Sequence, residues 1–308
     1  LLLGGFFGSW RVWDGIRGLD YLLSRPEADS KRVGVTGNSG GGTLTTYLTA
    51  CDPRFTMAAP SCFVTRYLCN LENELPADSE QIPPGILAAG LDMADFFVAH
   101  MPRPTLLLGQ NNDYFDRRGL EATFEELRRL YAIVGHEEDI ELFVGPDSHG
   151  YHRDNREAMY RFFNKHSGVE ARWREPRSLA PETPETLAAT PRGQVRFLRA
   201  RRVFDFTREK AQALAAGRRP AGADRLRRLL PELLNLPARR GTPHYRVMRN
   251  RALGSKRRIV QCGFAVETEP GVRALLHMFP QEGNLFHLPA AKAATVYVPH
   301  LSSQQEVA

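Results

Sequence analysis

The amino-acid sequence predicts an α/β fold, a doubly wound, mostly parallel sheet covered by helices on both faces. Three observations carry that prediction. Short continuous apolar runs alternate with segments of helical period over residues 14–166, the order expected when parallel strands are joined by crossover helices. The runs are continuous rather than alternating, as in strands buried on both faces. A glycine-rich turn, Gly37-Asn38-Ser39-Gly40-Gly41-Gly42, joins one such run to a helical segment, which is how a βαβ unit opens.

Taken in order, residues 14–25 place Ile16, Leu19, Leu22 and Leu23 on one helical face, and Pro26 ends the pattern. Residues 32–36 read as a short buried strand, and residues 43–50 as the helix after the glycine turn, closed by Asp52-Pro53. Residues 55–59 form a further apolar run. Some forty residues, 64–103, then mix acidic, proline-rich and apolar stretches; that is too long for a plain connection, so helices in a cap-like excursion are expected. Residues 104–109 make another buried strand. Residues 117–134 repeat Leu120, Phe124, Leu127, Leu130, Tyr131 and Val134 at helical spacing. A strand at 140–144 and a helix at 154–166, with Ala158, Met159, Phe162 and Phe163 inward, complete the alternation. The first strand visible is already the one before the glycine turn, so the sheet is expected to be incomplete on its N-terminal side.

Charge marks the next boundary. Residues 1–168 hold 16 basic against 23 acidic side chains, whereas residues 169–260 hold 23 against 8. This shift, with Pro176, Pro181, Pro184 and Pro191, predicts three regions. Residues 1–168 are a catalytic-type α/β domain; residues 169–257 are a basic, Pro- and Arg-rich linker with two helices over 207–235; residues 258–308 open a partial second α/β unit, with strands at 259–260, 264–266, 272–278 and 294–298. Arg225, Arg227 and Arg228 fit a solvated helix face, and no recognition motif accompanies the basic charge, so nucleic acid is not an expected partner. Neither is a membrane: no run approaches the ~18 apolar residues that a spanning helix needs. The apolar opening lacks a basic leader. The chain does not begin with Met and is expected to start inside a longer product. Compartment, export included, and oligomeric state stay open. Cys51, Cys62, Cys69 and Cys262 have no metal-ligand spacing; a Cys62–Cys69 bridge needs a folded-back loop, and free thiols are the simpler expectation.

The chemistry centres on Gly37-Asn38-Ser39-Gly40-Gly41, a G-x-S-x-G pattern between a buried strand and a helix. A sharp turn there lifts the Ser39 hydroxyl clear of the sheet, and the flanking glycines leave room for strand and helix to approach. The Gly40 amide, at the helix N-terminus, can donate to an oxyanion. A P-loop fails for want of a lysine, and G-x-G-x-x-G cannot be placed over residues 34–42. A purely structural glycine turn is the plain alternative. A nucleophilic serine needs a base, and the base an orienter. Asp113 follows the strand ending near Gly109, and His149 follows the strand ending near Val144. Both therefore fall at strand carboxyl ends, where open α/β sheets place their sites. Asp116 is the rival orienter and His152 the rival base. His149 and His152 as a two-histidine metal site lack a supporting carboxylate, and His100 and His136 read as packing or surface residues. No cofactor or metal is called for.

These residues bear a resemblance. Asp14-Gly-Ile-Arg-Gly-Leu-Asp-Tyr-Leu and Val33-Gly-Val-Thr-Gly-Asn-Ser-Gly-Gly-Gly, with Gly109-Gln-Asn-Asn-Asp-Tyr-Phe-Asp and Gly145-Pro-Asp-Ser-His-Gly-Tyr, resemble the acetyl xylan esterase and cephalosporin-C deacetylase branch of the α/β-hydrolases over residues 1–168. The resemblance implies a serine esterase that removes short acyl groups, acetyl above all, from a carbohydrate through an acyl-enzyme. The partner is then a small-molecule or polysaccharide ester. It also implies strands, and a second oxyanion donor, ahead of residue 1; without that donor the chain alone is expected to be weak or inactive. The tail, Val266-Glu-Thr-Glu-Pro-Gly-Val-Arg-Ala-Leu-Leu-His-Met and Ala294-Thr-Val-Tyr-Val-Pro-His-Leu-Ser-Ser, looks like the opening of another such domain, as in a tandem protein. The tail strands folding back onto the strand at 32–36 is the competing expectation. A serine peptidase of the prolyl-oligopeptidase type shares the elbow and triad order, and a non-catalytic domain of the same fold is the third alternative.

Overall fold

Four runs of the chain become parallel strands, and each ends one residue before a polar side chain. In the computed structural model, which describes residues 3–73, 78–237, 241–248, 251–253, 258–279, 293 and 295–298, these are β1 (Gly34–Asn38), β2 (Met57–Ser61), β3 (Thr105–Asn112) and β4 (Ile140–Ser148), side by side in that order. All three pairings are parallel. The crossovers are helical: α1 (Phe7–Leu23) precedes β1, α2 (Gly40–Cys51) joins β1 to β2, and the short α3 (Tyr67–Glu72) and α4 (Met93–Val98) lie between β2 and β3. Next come α5 (Arg117–Ile133), between β3 and β4, and α6 (Arg153–Ser167) after β4.

The sheet is covered on both faces because its central strands, β2 and the first part of β3, have no polar side. In β3, Leu107 points into a cluster with Phe63, Tyr67, Met93, Phe97, Leu127 and Tyr131, the α5 side. Its neighbours Leu106 and Leu108 point the other way, onto Ala158, Met159 and Phe162 of α6. Successive strand residues face opposite sides, so three consecutive leucines feed two cores, each buried side chain contributing about 1.5–3 kcal/mol. A third cluster, Leu19, Leu48 and Phe55, ties α1 to α2 beside Val33 and Val35.

Several elements depart from their expected bounds. Helix α1 starts at Phe7, seven residues ahead of the amphipathic pattern; its first turns lie against α2, where the Phe6 and Tyr47 rings meet 6.2 Å apart. β3 and β4 run on through polar residues to pair Asn112 with Ser148 across an irregularity. A hydrogen-bonded ladder needs backbone groups and not apolar side chains, so the apolar run marks only its buried part. Val134, expected inside, is half exposed. The 64–103 excursion is bound into the core: Tyr67, Ile86, Met93 and Phe97 join the α5-side cluster. A capping box opens α4, with the Asp92 carboxylate accepting from the Met93 amide and the Asp95 carboxylate accepting from the Asp92 amide, both at 2.7 Å.

The chain forms two compact units, Leu1–Arg218 and Arg219–Ala308. The first therefore takes in part of the segment expected as a linker. Glu175 accepts from the Arg156 guanidinium at 2.6 and 2.7 Å and from the Tyr160 hydroxyl at 3.2 Å, strapping the segment to α6. After the single turn of α7 (Pro184–Leu187), α8 (Val203–Ala216) places Phe206 against Trp10 of α1, ring centroids 5.2 Å apart. The second unit holds α9 (Ala223–Leu233) and an antiparallel sheet of β5 (Tyr245–Val247), β6 (Arg251–Leu253), β7 (Arg258–Glu269) and β8 (Val272–Met278). β7 pairs with the other three. Its core is small, Cys262 and Phe264 with Val266 and Met278 against them. The tail strands thus find partners in their own unit, and β1 has β2 as its one strand neighbour among the described residues. The strand expected at 294–298 is not seen: residue 294 lies outside the described residues, and residues 295–298 form no strand, with Val296 and Val298 largely exposed. A β-branched run becomes a strand only where a ladder takes up its backbone groups. All four cysteines are free thiols, and no described helix is long and apolar enough to cross a membrane.

Candidate active site

The four strand ends converge at one rim of the sheet. β1 is followed by Ser39, β2 by Cys62, β3 by Asp113 and β4 by His149. Ser39 has φ 59° and ψ −119°, a left-handed backbone that non-glycine residues adopt only when their surroundings impose it. The imposition is visible. The Ser39 amide donates to the Ser61 carbonyl at 2.9 Å, and the Ser39 carbonyl accepts from the Thr43 amide at 2.9 Å, so the turn is pinned to β2 on one side and to α2 on the other.

The glycines divide in what they do. A Cβ on Gly37 would lie 2.6 Å from the Gly41 carbonyl oxygen, and one on Gly42 2.4 Å from the Ser61 carbonyl oxygen. Both are backbone contacts that cannot give way. A Cβ on Gly40 or Gly41 would meet nothing within 4 Å, so steric need alone does not fix glycine there. The close approach expected of the elbow is made by Gly37 and Gly42 rather than by Gly37 and Gly41. The Gly40 amide stands in the first turn of α2, where helix N–H groups lack intrahelical acceptors.

Asp113 and His149 are in direct contact. His149 Nδ1 lies 2.8 Å from Asp113 Oδ1; a carboxylate can only accept here, so Nδ1 carries the proton and Nε2 is left as an acceptor. The Asp113 side chain is 3% exposed and that of His149 23%. The Phe115 amide also donates to Asp113 Oδ1, at 3.1 Å. Asp113 Oδ2 is buried and has no hydrogen-bond partner among the described residues. His149 Nε2 meets a residue that the sequence did not single out: the Tyr114 hydroxyl donates to it at 3.1 Å, and the two rings stack with centroids 4.2 Å apart. No hydrogen bond joins His149 to Ser39 among the described residues.

Neither rival residue bonds Asp113 or His149 among the described residues. Asp116 caps α5, its Oδ1 accepting from the Arg118 amide at 2.8 Å, and it pairs with the Arg118 guanidinium; that pairing holds its carboxyl below the usual range. His152 precedes α6, with Nδ1 3.9 Å from Asp147. His136 bonds Asp139 at 2.7 Å. His100 is fully buried beside Arg103, and burial first, then the Arg103 charge, pushes its pKa down to about 4.

Cys62 is the second residue that the sequence did not mark. It has φ 53°, its residue is 2% exposed, and its amide donates to the Leu108 carbonyl at 2.9 Å. Its sulfur, an Asp113 oxygen and a His149 nitrogen lie within 4.8 Å of one another, the one such group among the described residues that could hold a metal ion. Neither residue was legible in advance, because each acquires its place only when non-adjacent strand ends meet; position directly after a parallel strand was the one available signal.

Parallel order, a strained serine between strand and helix, and an acid and a histidine after the next strands make this an α/β-hydrolase-type fold. The family model described as "prolyl oligopeptidase family" matches residues 6–80, which span α1, the elbow and β2. No curated protein matches the chain. Among solved structures the chain is similar to a methylesterase, at 28% identity and a TM-score of 0.43, covering 52% of this chain and 36% of that one. It is also similar to a carbohydrate esterase family 15 glucuronoyl esterase from Caldicellulosiruptor kristjansonii, at 18% identity and a TM-score of 0.45, with 55% and 53% covered. A third is the glucuronoyl esterase catalytic domain from Hypocrea jecorina, at 15% identity and a TM-score of 0.44, with 52% and 51% covered. The chain spans between a third and just over half of the length of these structures.

Proposed function

We propose that this chain carries the catalytic residues of a serine carboxylic-ester hydrolase, with Ser39 as nucleophile, His149 as general base and Asp113 as its orienter. The observation that carries the proposal is the 2.8 Å bond from His149 Nδ1 to Asp113 Oδ1, made by two residues that follow β3 and β4 at the same rim of the sheet as the Ser39 elbow. The bond fixes the tautomer, leaving Nε2 free to take the Ser39 proton once Tyr114 releases it. Ser39 Oγ then attacks the ester carbonyl carbon, and the Gly40 amide donates to the oxygen that becomes negative. Collapse expels the alcohol, which receives the proton from His149. Water, deprotonated by His149, attacks the acyl-enzyme and releases the acid.

The finer reading is deacetylation of a carbohydrate, supported by the resemblance of residues 1–168 to acetyl xylan esterases. A serine peptidase acting after proline is the second reading, favoured by the family match over residues 6–80. An assay of three substrates separates them: an acetylated xylo-oligosaccharide, a methyl ester of a uronic acid, and a prolyl anilide. Turnover of the acetylated sugar by the full-length protein that carries this chain, lost in Ser39→Ala, is expected. Turnover of the anilide alone would replace the esterase with a peptidase.

A further inference from the structure

Asp113 presents an anomaly. Both of its hydrogen bonds fall on Oδ1, from the His149 ring and from the Phe115 amide, while Oδ2 is buried without a partner among the described residues. With the side chain 3% exposed, a carboxylate oxygen left without a donor is destabilising and free to reorient. A carboxylate that turns about its own axis no longer holds Nδ1 at one angle. Cys62, arriving from the neighbouring strand β2, brings a sulfur within 4.8 Å of that carboxylate.

We propose that Cys62 is a positioning residue whose S–H donates to Asp113 Oδ2, fixing the carboxylate and, through it, the His149 ring. The inference rests on the assignment of Asp113 and His149 to one catalytic unit. The thiol has a competing acceptor, the Gly150 carbonyl, 3.5 Å from Sγ, and the Ser61 hydroxyl donates to the sulfur at 3.6 Å. Because Oδ2 has no partner among the described residues, the bond forms when the carboxylate turns towards the sulfur and the thiol hydrogen swings from Gly150 onto it. The thiol keeps that hydrogen at neutral pH, because burial, reinforced by the nearby Asp113 charge, pushes its pKa up to about 11. The left-handed backbone of Cys62, held by the bond from its amide to Leu108, fixes the direction in which the side chain leaves the rim.

The S–H stretching band tests the bond without requiring turnover. Cys62 is one of four free thiols, so its band is isolated by subtracting the infrared spectrum of Cys62→Ser. It is expected below the frequency of an unbonded thiol, and to move upward in Asp113→Asn. A band at the unbonded position, or one indifferent to Asp113→Asn, overturns the proposal. Kinetics then test the positioning role. Cys62→Ala is expected to lower kcat about 3–10-fold with KM unchanged, the effect of losing one modest hydrogen bond, whereas Cys62→Ser retains a donor and restores most of the rate. Equal rates in the Ala and Ser variants would make Cys62 a packing residue. Should the full-length protein hydrolyse no ester at all, the esterase assignment fails, and the infrared result still decides whether the thiol supports Asp113.

Discussion

His149 has one ring nitrogen on a buried carboxylate and the other on an exposed tyrosine, and the difference sets what each substitution should do. Asp113→Asn changes the acceptor that fixes the tautomer and is expected to lower kcat by about 1,000–10,000-fold, the cost of presenting the wrong ring nitrogen, with the thermal midpoint little changed. Tyr114→Phe acts in the other direction. The hydroxyl occupies Nε2, the atom that the proposed mechanism assigns to Ser39, and an exposed hydrogen bond of about 0.5–1.5 kcal/mol corresponds to a factor of about 2–10. Fluorophosphonate should therefore label Ser39 in Tyr114→Phe faster by about that factor; a slower reaction would make Tyr114 a helper rather than a competitor. His100 governs acid stability. Its pKa in the fold lies near 4, below the ordinary value of 6.5, so as pH falls the unfolded chain takes up the proton first. Stability is expected to decline from about pH 6.5 towards pH 4 by up to about 3 kcal/mol from this group. Urea midpoints across that range should flatten in His100→Gln. The strained turn at Ser39 and the strand-end positions of Asp113 and His149 were legible because each follows an apolar run. Tyr114 and Cys62 were not, since nothing in their local sequence says which ring or carboxylate they will face.

At the scale of elements, the elbow was readable as a pattern but not in its division of labour. Five consecutive residues suggest that each flanking glycine matters alike, yet the contacts distinguish them, because helix α2 crosses β1 and β2 at particular atoms. Gly42→Ala would set a Cβ 2.4 Å from a backbone oxygen of β2 and is expected to destabilise by about 1–3 kcal/mol, as overpacking does. Gly41→Ala, with open space, should change stability little. Equal denaturation midpoints for the two variants would contradict this reading of the turn. Strand interiors were found from their apolar runs, whereas strand ends were not. The last residues of β3 and β4 are polar, and polar residues beyond an apolar run look the same whether they continue a ladder or begin a loop. The excursion between β2 and β3 hid its packing for a related reason: Tyr67, Ile86, Met93 and Phe97 are too widely spaced to show a period, although they share one cluster.

Across the whole molecule, the two units differ in how much core each commands. The first packs both faces of its sheet; the second relies on Cys262 and Phe264 with Val266 and Met278. Local opening free energy follows buried apolar contact, so amides of β3 should exchange with solvent orders of magnitude more slowly than those of β7 and β8. Hydrogen exchange read by mass spectrometry would show it, and equal protection would contradict the account of the second unit. The sequence marked residue 168 by a change in charge, but compactness extends to residue 218, because Glu175 and Phe206 supply anchors that net charge does not register. Everything functional depends on whether Ser39 is made nucleophilic by the pair at the ends of β3 and β4. The most direct measurement is peptide mapping by mass spectrometry after reaction with a fluorophosphonate. The account predicts one adduct, on the peptide containing Ser39, abolished in His149→Ala while the fold persists. A folded chain that stays unmodified at Ser39, or one labelled equally well without His149, would contradict it.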